Sequence, residues 1–265
     1  MSISEYLQPL PWETRNLGIP SFAVTGAFFE KPNEAMLKKC LAETRKAHAN
    51  FFVQARFKPE TKAARILESN GFYFVEATVC PYAVLSKCAA LKSFIADPSP
   101  YLPARYNASD IEVAVVVRGV GKDSQLAAAV RQIAGESFAE DRFHVDHNCD
   151  GDTANRRYLF WVDDLFGDDA VRFHALLYRK QPIAFMASRG GDLLLAGFAR
   201  KYAGGGLGEF FWLRVLQNLG ADGVDRVSTL ISINNLSVLN LYARMGFKFR
   251  DSRATFHLWG RPRAA

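Results

Sequence analysis

Apolar and polar positions in the first hundred residues predict alternating strands and a helical face. Met36, Leu37 and Leu41 recur at helical spacing, whereas the neighbouring segments are rich in Phe and Val and alternate in polarity. Asn70-Gly71 is a helix stop signal. The pattern predicts a strand over 22–29, a helix over 33–48, a strand over 51–57, a helix over 61–69 and a strand over 72–85. This half therefore has the predicted order βαβαβ.

The remaining chain predicts a longer series of elements. A helix with an apolar stripe at Leu126, Val130 and Ile133 precedes a second helix and a hairpin that turns at 179–181. The predicted strands are 111–117, 171–178, 182–187, 193–199, 227–233 and a last strand after Phe247, and the predicted helices are 124–138, 153–165, 210–219 and 235–242. The order is β, α, α, β, β, β, α, β, α, β, typical of an α/β (α+β) protein.

Prolines separate the two series. Pro98, Pro100 and Pro103 each remove a backbone donor and restrict the preceding residue, which is typical of a domain boundary. We therefore predict two domains, residues 1–105 and residues 106–265.

A weak internal repeat links the two halves. Residues 64–74 and residues 239–249 each predict the end of a helix, a Gly-Phe stop and a long strand. Leu67 occupies the position of Tyr242, and Glu60 occupies that of Asn235. Chance similarity of two such units is the alternative interpretation.

Composition and charge limit the classes of function. Of the 265 residues, 49% are hydrophobic and 23% are charged, as is ordinary for a globular protein. The net charge of +6 is modest, and no basic run is interleaved with aromatic residues, so we expect no nucleic-acid partner. No apolar run approaches the roughly 20 residues that span a bilayer, and the N-terminus lacks a signal-peptide pattern. We expect a cytoplasmic protein with no membrane partner.

The four cysteines, Cys40, Cys80, Cys88 and Cys149, have neither metal-site spacing nor a C-x-x-C redox motif. We expect reduced thiols and no metal site.

A glycine cluster follows the predicted strand 193–199. Gly204, Gly205, Gly206 and Gly208 precede an amphipathic helix, and glycines at such a corner leave backbone N–H groups bare at the positive end of the helix dipole. The corner predicts a phosphate site. A plain tight turn is the alternative.

This region resembles the cofactor-binding half of the GCN5-related N-acetyltransferases (GNAT family). Their loop pattern is Arg or Gln, two residues, Gly, one residue, then Gly or Ala; Gly206 and Gly208 match, whereas Ala203 replaces the Arg or Gln. The later pattern of the family is met by Asn235, Tyr242 and Gly246-Phe247. The resemblance implies a GNAT fold, with a mixed central sheet flanked by helices, behind a smaller partial GNAT-like domain that is not catalytic.

The resemblance also implies a site for acetyl-CoA. The implied catalytic residues are Tyr242, which would protonate the departing thiolate, and Asn235, which would bind the pantetheine arm or order a nearby water. The pantetheine arm adds to the open edge of the strand at Phe198. A bulge there would direct an N–H at the thioester oxygen. The implied cofactor-binding residues are Phe198, Ala199, Arg200, Ala203, Gly204, Gly205, Gly206, Leu207, Gly208 and Asn235.

The acceptor is less clearly indicated. Arg142, His144 and Asp146 lie in the segment that borders the acceptor site in such enzymes, and His144, Glu140 and Asp146 are candidate bases. Residues 11–19 together with 141–146 resemble family members that acetylate dTDP-linked amino sugars, which implies a nucleotide-linked amino sugar in surface polysaccharide synthesis. A protein N-terminus or an antibiotic amine is the alternative acceptor, and a catalytically silent acyl-CoA-binding module is the alternative function. The sequence leaves open whether the chain forms a homodimer.

Overall fold

One mixed sheet runs through both halves of the chain. The computed structural model describes residues 5–117 and 124–260, and within them the sheet has eleven strands. The strands are β1 (Leu7–Pro9), β2 (Ser21–Val24), β3 (Phe51–Phe57), β4 (Tyr73–Val84), β5 (Ile111–Val117), β6 (Val171–Tyr178), β7 (Gln181–Arg189), β8 (Asp192–Phe198), β9 (Arg226–Ser228), β10 (Ile231–Ser232) and β11 (Lys248–Gly260).

Helices cover both faces of this sheet. They are α1 (Pro11–Leu17), α2 (Gly26–Glu30), α3 (Glu34–Ala47), α4 (Thr61–Ser69), α5 (Ala89–Ala96), α6 (Gln125–Glu136), α7 (Gly151–Phe166), α8 (Leu207–Ala221) and α9 (Leu236–Arg244). The predicted elements over 51–57, 61–69, 111–117 and 171–178 are confirmed at their predicted bounds. Across the described residues, no helix combines the length and the apolarity needed to cross a membrane.

The last strand of the C-terminal half lies among the strands of the N-terminal half. The order is β1-β2-β3-β11-β4-β9-β8-β7-β6-β5, and β10 pairs with β4 outside this path. Thus β11, the last strand of the chain, lies between β3 and β4, while β4 lies between β11 and β9. The sheet is continuous across the predicted boundary at 105/106. The division of the chain into two domains stays a prediction.

Both long strands follow the same kind of helix end. Gly71 after α4 and Gly246 after α9 have φ of 86° and 81°, the left-handed region that glycine adopts without strain. Each turn sends the chain into a strand of the central pair, where Phe256 of β11 lies opposite Phe74 of β4. The sequence repeat therefore corresponds to two helix–glycine–strand units that pair with each other.

Two predicted strands are wrong in part. The strand over 22–29 ends at Val24, and Gly26–Glu30 is helical because Phe28 packs on Tyr6 while Phe29 stacks on Phe57. The strand over 227–233 is two short strands, β9 and β10, which both pair with β4, and β9 also pairs with β8 at one position. The elements β1, α1 and α5 were not predicted from the sequence.

Candidate active site

The glycine cluster forms a turn between β8 and α8. A 3₁₀ turn over Arg200–Tyr202 follows β8, and Gly204 and Gly206 have φ of 69° and 78°. Gly206 is the N-cap of α8, and no side chain of the described residues caps this helix. The first N–H groups of a helix have no intrahelical acceptor, so those at the start of α8 are free for an anion.

The segment that precedes β5 packs against this turn. A Cβ added at Gly205 would lie 2.8 Å from the Tyr202 carbonyl oxygen and 3.0 Å from Nη2 of Arg105. The same Arg105 atom donates to the carbonyl of Gly205. Glycine is therefore required at Gly205 for the close backbone approach, and the turn has the form of a backbone cradle. Backbone cradles of this kind can bind anions.

The edge of β8 that faces β9 opens after its first residue. Within the described residues, β8 and β9 pair only at Asp192 and Ser228, and the Thr229 hydroxyl donates to the carbonyl of Leu193 over 2.8 Å. Beyond this point β10 continues along β4, as β9 does, but in the described residues it forms no pair with β8. The edge of β8 up to Phe198 can therefore accept an added strand-like ligand.

The predicted bulge at Phe198–Arg200 is wrong. The irregularity of β8 lies where the pairing passes from Leu193 to Leu195, near the start of the strand. At its end, the N–H of Ala199 donates to the carbonyl of Ile183 over 2.8 Å. That N–H is engaged in the sheet and does not point at a ligand.

Tyr242 lies in the core beneath the glycine turn. Its hydroxyl accepts a 2.8 Å hydrogen bond from Nε1 of Trp212, and its side chain is 2% exposed. Burial raises the pKa of Tyr242, so the phenol keeps its proton. The indole of Trp212 stacks in turn on Phe198, with ring centroids 6.3 Å apart. The phenol and the end of β8 are thus linked through this one indole.

Asn235 caps the helix that carries Tyr242. Its Oδ1 accepts from the N–H of Val238 over 3.2 Å, the ordinary geometry of an N-cap. Its amide NH₂ group is not used by this cap.

The loop of residues 139–150, here called the covering loop, holds the predicted acceptor residues in internal contacts. Nη2 of Arg142 donates to Glu13 over 2.6 Å. His144 contacts Asp141 through Nδ1, and its Nε2 lies 2.9 Å from Oδ1 of Asn155. Burial opposes a charged imidazole, but these two contacts outweigh it and raise the pKa of His144. The substrate roles of Arg142 and His144 stay predictions.

Asp146 is the centre of a buried network under the same loop. Its carboxylate accepts from Tyr73 Oη at 2.5 Å, from His257 Nδ1 at 2.7 Å and from Trp259 Nε1 at 2.8 Å. Burial opposes the charged form, yet these hydrogen bonds lower the pKa of Asp146 to about 2. This network anchors the covering loop to β4 and β11, and the substrate role of Asp146 stays a prediction.

Sequence reasoning missed Glu13, Tyr73 and His257. A signal that could have identified His257 is the alternation of side chains along the last strand, which places Thr255, His257 and Trp259 on one face.

The cysteine thiols of the described residues form neither a disulfide nor part of a metal site. The four cysteines are free, and burial raises the pKa of Cys149 to about 12. Within residues 5–117 and 124–260, no group of three His, Cys, Asp or Glu residues is placed to hold a metal ion.

Comparisons with known proteins place this architecture. No protein-family model matches the chain, and no curated protein matches it. A GCN5-related N-acetyltransferase from Sphaerobacter thermophilus aligns with a TM-score of 0.61 at 15% identity, over 97% of this chain and 76% of that chain. The chain has the GCN5-related N-acetyltransferase fold.

Two further structures agree with this fold. A tandem GNAT protein from the clavulanic acid biosynthesis pathway aligns with a TM-score of 0.57 at 14% identity, over 93% of this chain and 77% of that chain. A GCN5-related N-acetyltransferase from Kribbella flavida aligns with a TM-score of 0.51 at 14% identity, over 90% of this chain and 80% of that chain. The predicted GNAT fold is confirmed. At these identities the likeness concerns the fold alone.

Proposed function

We propose that the chain is an acetyl-CoA-dependent N-acetyltransferase that acts on a primary amine. One observation carries the proposal: the bare start of α8 and the open edge of β8 meet at the same glycine turn, within an N-acetyltransferase fold. A diphosphate and an amide-rich arm are the two ligand parts that these features fit.

The diphosphate of acetyl-CoA would be held by the N–H groups at Gly206, Leu207 and Gly208. Ala203 supplies no cation there, but Arg200 and Lys201 are exposed on the 3₁₀ turn that leads into the cradle. The pantetheine arm would follow β8 between Leu194 and Phe198. The amide NH₂ of Asn235, which its helix cap leaves unused, would donate to this arm.

Acetyl-CoA, when bound, supplies a thioester from which an amine nitrogen takes the acetyl group while the thiolate leaves. Tyr242 would provide the proton for that sulfur, because its buried phenol is protonated over the whole neutral range. Trp212 donates to the hydroxyl of Tyr242, so the proton of the phenol itself is still free to be donated, but the side chain is buried and a ligand sulfur must reach it there. The attacking amine must lose a proton, and Glu140, the exposed candidate base of the covering loop, is left for that role.

For the acceptor we propose the amino group of a nucleotide-linked amino sugar. The support is the resemblance of residues 11–19 and 141–146 to enzymes of that class. In the structure these two segments touch, through the pairing of Glu13 with Arg142. A protein N-terminus and an antibiotic amine are the alternative acceptors.

The experiment is thiol release from acetyl-CoA in the presence of a panel of dTDP- and UDP-linked amino sugars. Parallel assays contain a peptide with a free N-terminus or an aminoglycoside. Release with a sugar nucleotide supports the whole proposal. Release with the peptide or the aminoglycoside removes the favoured acceptor but retains the enzyme class.

A catalytically silent acyl-CoA-binding module is the second candidate function. Two observations favour it: Ala203 stands where the family has Arg or Gln, and Tyr242 is only 2% exposed. Calorimetric binding of coenzyme A without thiol release for any amine would support this module. Absence of coenzyme A binding would contradict both functions.

A further inference from the structure

Buried polar atoms without partners gather beneath the covering loop. Within the described residues, eight buried side-chain nitrogen or oxygen atoms lack a hydrogen-bond partner. Six of these belong to one region, namely Gln54 Oε1, Arg56 Nε, Thr78 Oγ1, Arg142 Nε, Thr255 Oγ1 and His257 Nε2. A buried polar atom left unpaired is costly, so their concentration in one place points to a ligand that pairs with them.

Strand register places five of these side chains on one face of three adjacent strands. Arg56 of β3 lies opposite Thr255 of β11, which lies opposite Glu76 of β4. One step along the strands in one direction, His257 lies opposite Gln54; one step in the other direction, Thr78 lies opposite Arg253. We call this surface the polar face.

Arg142 belongs to the covering loop, which closes over the polar face. Phe143, next to it, packs on Phe52 and His257 with ring centroids 5.6 and 5.0 Å apart. Burial is deep here, since Thr255 and His257 are both 0% exposed. The unpartnered atoms of the two layers therefore face a common interior.

Ion pairs balance only part of the charge in this region. Arg142 shares Glu13 with Arg157. Glu76, on the polar face, attracts both Arg56 and Arg142, but in the described residues it forms no ion pair with Arg56. Burial and then the positive charge of Arg142 lower the pKa of Arg56 to about 10, so it remains a cation at neutral pH. Since Nε of Arg56 and Nε of Arg142 still have no acceptor, a ligand with anionic oxygens would supply the missing hydrogen bonds.

The unpartnered atoms also define the hydrogen bonds that a ligand must make. Arg56 and Arg142 donate, and the two threonine hydroxyls can donate or accept. His257 donates from Nδ1 to Asp146, which leaves its Nε2 as an acceptor on the neutral ring. An anionic group together with hydroxyl groups satisfies this set of partners.

The polar face continues to the open edge of β8. Thr78 lies opposite Ser232 of β10, the strand that follows the point where β8 and β9 diverge. From Ser232 to Arg56 the sheet extends over three strand spacings, about 14 Å, and one step of about 7 Å along the strands. A molecule of nucleotide-sugar size can span this distance.

We propose that the polar face binds the acceptor of the acetyl transfer, and that this acceptor is a hydroxyl-bearing amine whose carboxylate or phosphate binds Arg56. The inference rests on the proposed function, because it assumes that the amine end lies at the edge of β8. Strands from both halves of the chain would then bind the same substrate.

The test measures binding rather than turnover. Glucosamine, glucosamine 6-phosphate and glucosaminuronic acid are titrated calorimetrically into the full-length protein; the three probes share an amine and hydroxyl groups and differ in the anion. We expect the phosphate, the carboxylate or both to bind about tenfold or more tightly than glucosamine, since a charged hydrogen bond is worth about that factor. The better of the two anions identifies the natural group.

The variant Arg56→Met should remove this preference, and Arg56→Lys should restore part of it. Arg45→Met, which changes an exposed arginine of α3, is the matched control and should bind like the wild type. Because Arg56→Met also removes the cation near Glu76, Arg56→Lys is the variant that separates anion binding from a structural role, and both variants are assayed well below their thermal midpoints.

The two proposals fail in different ways. If neither anion binds better than glucosamine, or if Arg56→Met retains the preference, the inference about the polar face is wrong. If the preference is lost in Arg56→Met but no amine is acetylated, the face is a ligand site and the proposed acetyl transfer is wrong.

Discussion

The units α4–β4 and α9–β11 have the same backbone arrangement, but they differ in the side chain at one helix position, which is Leu67 in the first unit and Tyr242 in the second. Each helix ends at a left-handed glycine and leads into a long central strand. In the first unit Leu67 is fully buried in an apolar cluster, whereas in the second Tyr242 carries a hydroxyl that holds Trp212. The comparison shows one backbone arrangement used twice, with a hydroxyl group at this position in one copy only.

The largest expected effect is that of Tyr242→Phe on turnover. If the phenol is the proton donor, its removal should lower kcat by about 10²- to 10⁴-fold. Affinity for coenzyme A, measured by calorimetry, should change little, because the ring remains. An equal loss of turnover and of affinity would contradict the role of Tyr242 as an acid.

Leu67→Ala is the matched change in the first unit. Leu67 is 0% exposed, so the cavity left by its side chain should cost about 2–5 kcal/mol of unfolding free energy. Urea unfolding measures this loss, and kcat of the protein that remains folded should be unchanged. A large fall in kcat at full folding would show that the first unit takes part in catalysis.

We expect acid to destabilise the protein through His257, a buried residue of β11. Burial lowers the pKa of His257 to about 4, below the value of about 6.5 for an unfolded histidine, so the unfolded chain binds more protons between these values. Stability is therefore present above pH 6.5 and is lost as pH falls toward 4, by on the order of 3 kcal/mol from this group.

Other groups titrate in the same range. Burial lowers the pKa of His174 to about 4, which has the same sign, whereas the raised pKa of His144 has the opposite sign. Asp146 stays charged throughout because its pKa is lowered to about 2. Urea unfolding at pH 7 and pH 5 should show a smaller difference in His257→Gln than in the wild type. The surface control His48→Gln should keep the wild-type difference; an unchanged difference in His257→Gln would rule out this histidine as the source.

Much of the fold was predictable because its signals are local. The helix 124–138 has a clear apolar stripe, and the helices 61–69 and 235–242 are each followed by a glycine with positive φ, Gly71 and Gly246. The helix Gly26–Glu30 was not predictable from its aromatic residues, because their partners Tyr6 and Phe57 are distant in sequence. The pairing of β4 with β11 is equally nonlocal.

The candidate site divides in the same way. The glycine turn and the spacing of Asn235 and Tyr242 are short motifs that can be found in the sequence, and their shared role in binding acetyl-CoA stays a prediction. The contacts of Arg142 with Glu13 and of Asp146 with His257 join residues more than a hundred positions apart. No short pattern in the sequence contains those pairs, so the polar face could only be found in the folded chain.

The smallest expected effect concerns the two helix caps, where the units are again alike in position and different in kind. Glu60 caps α4 by accepting from the N–H groups of Lys62 and Ala63, and Asn235 caps α9 by accepting from Val238. Each change to alanine should cost about 1 kcal/mol of unfolding free energy, measured in urea. Asn235→Ala should in addition weaken coenzyme A binding, because the side chain also donates to the pantetheine arm in the proposed function, while Glu60→Ala should not. Equal coenzyme A affinity in the two variants would reduce Asn235 to a cap, and the difference between the units would then lie in Tyr242 and the glycine turn.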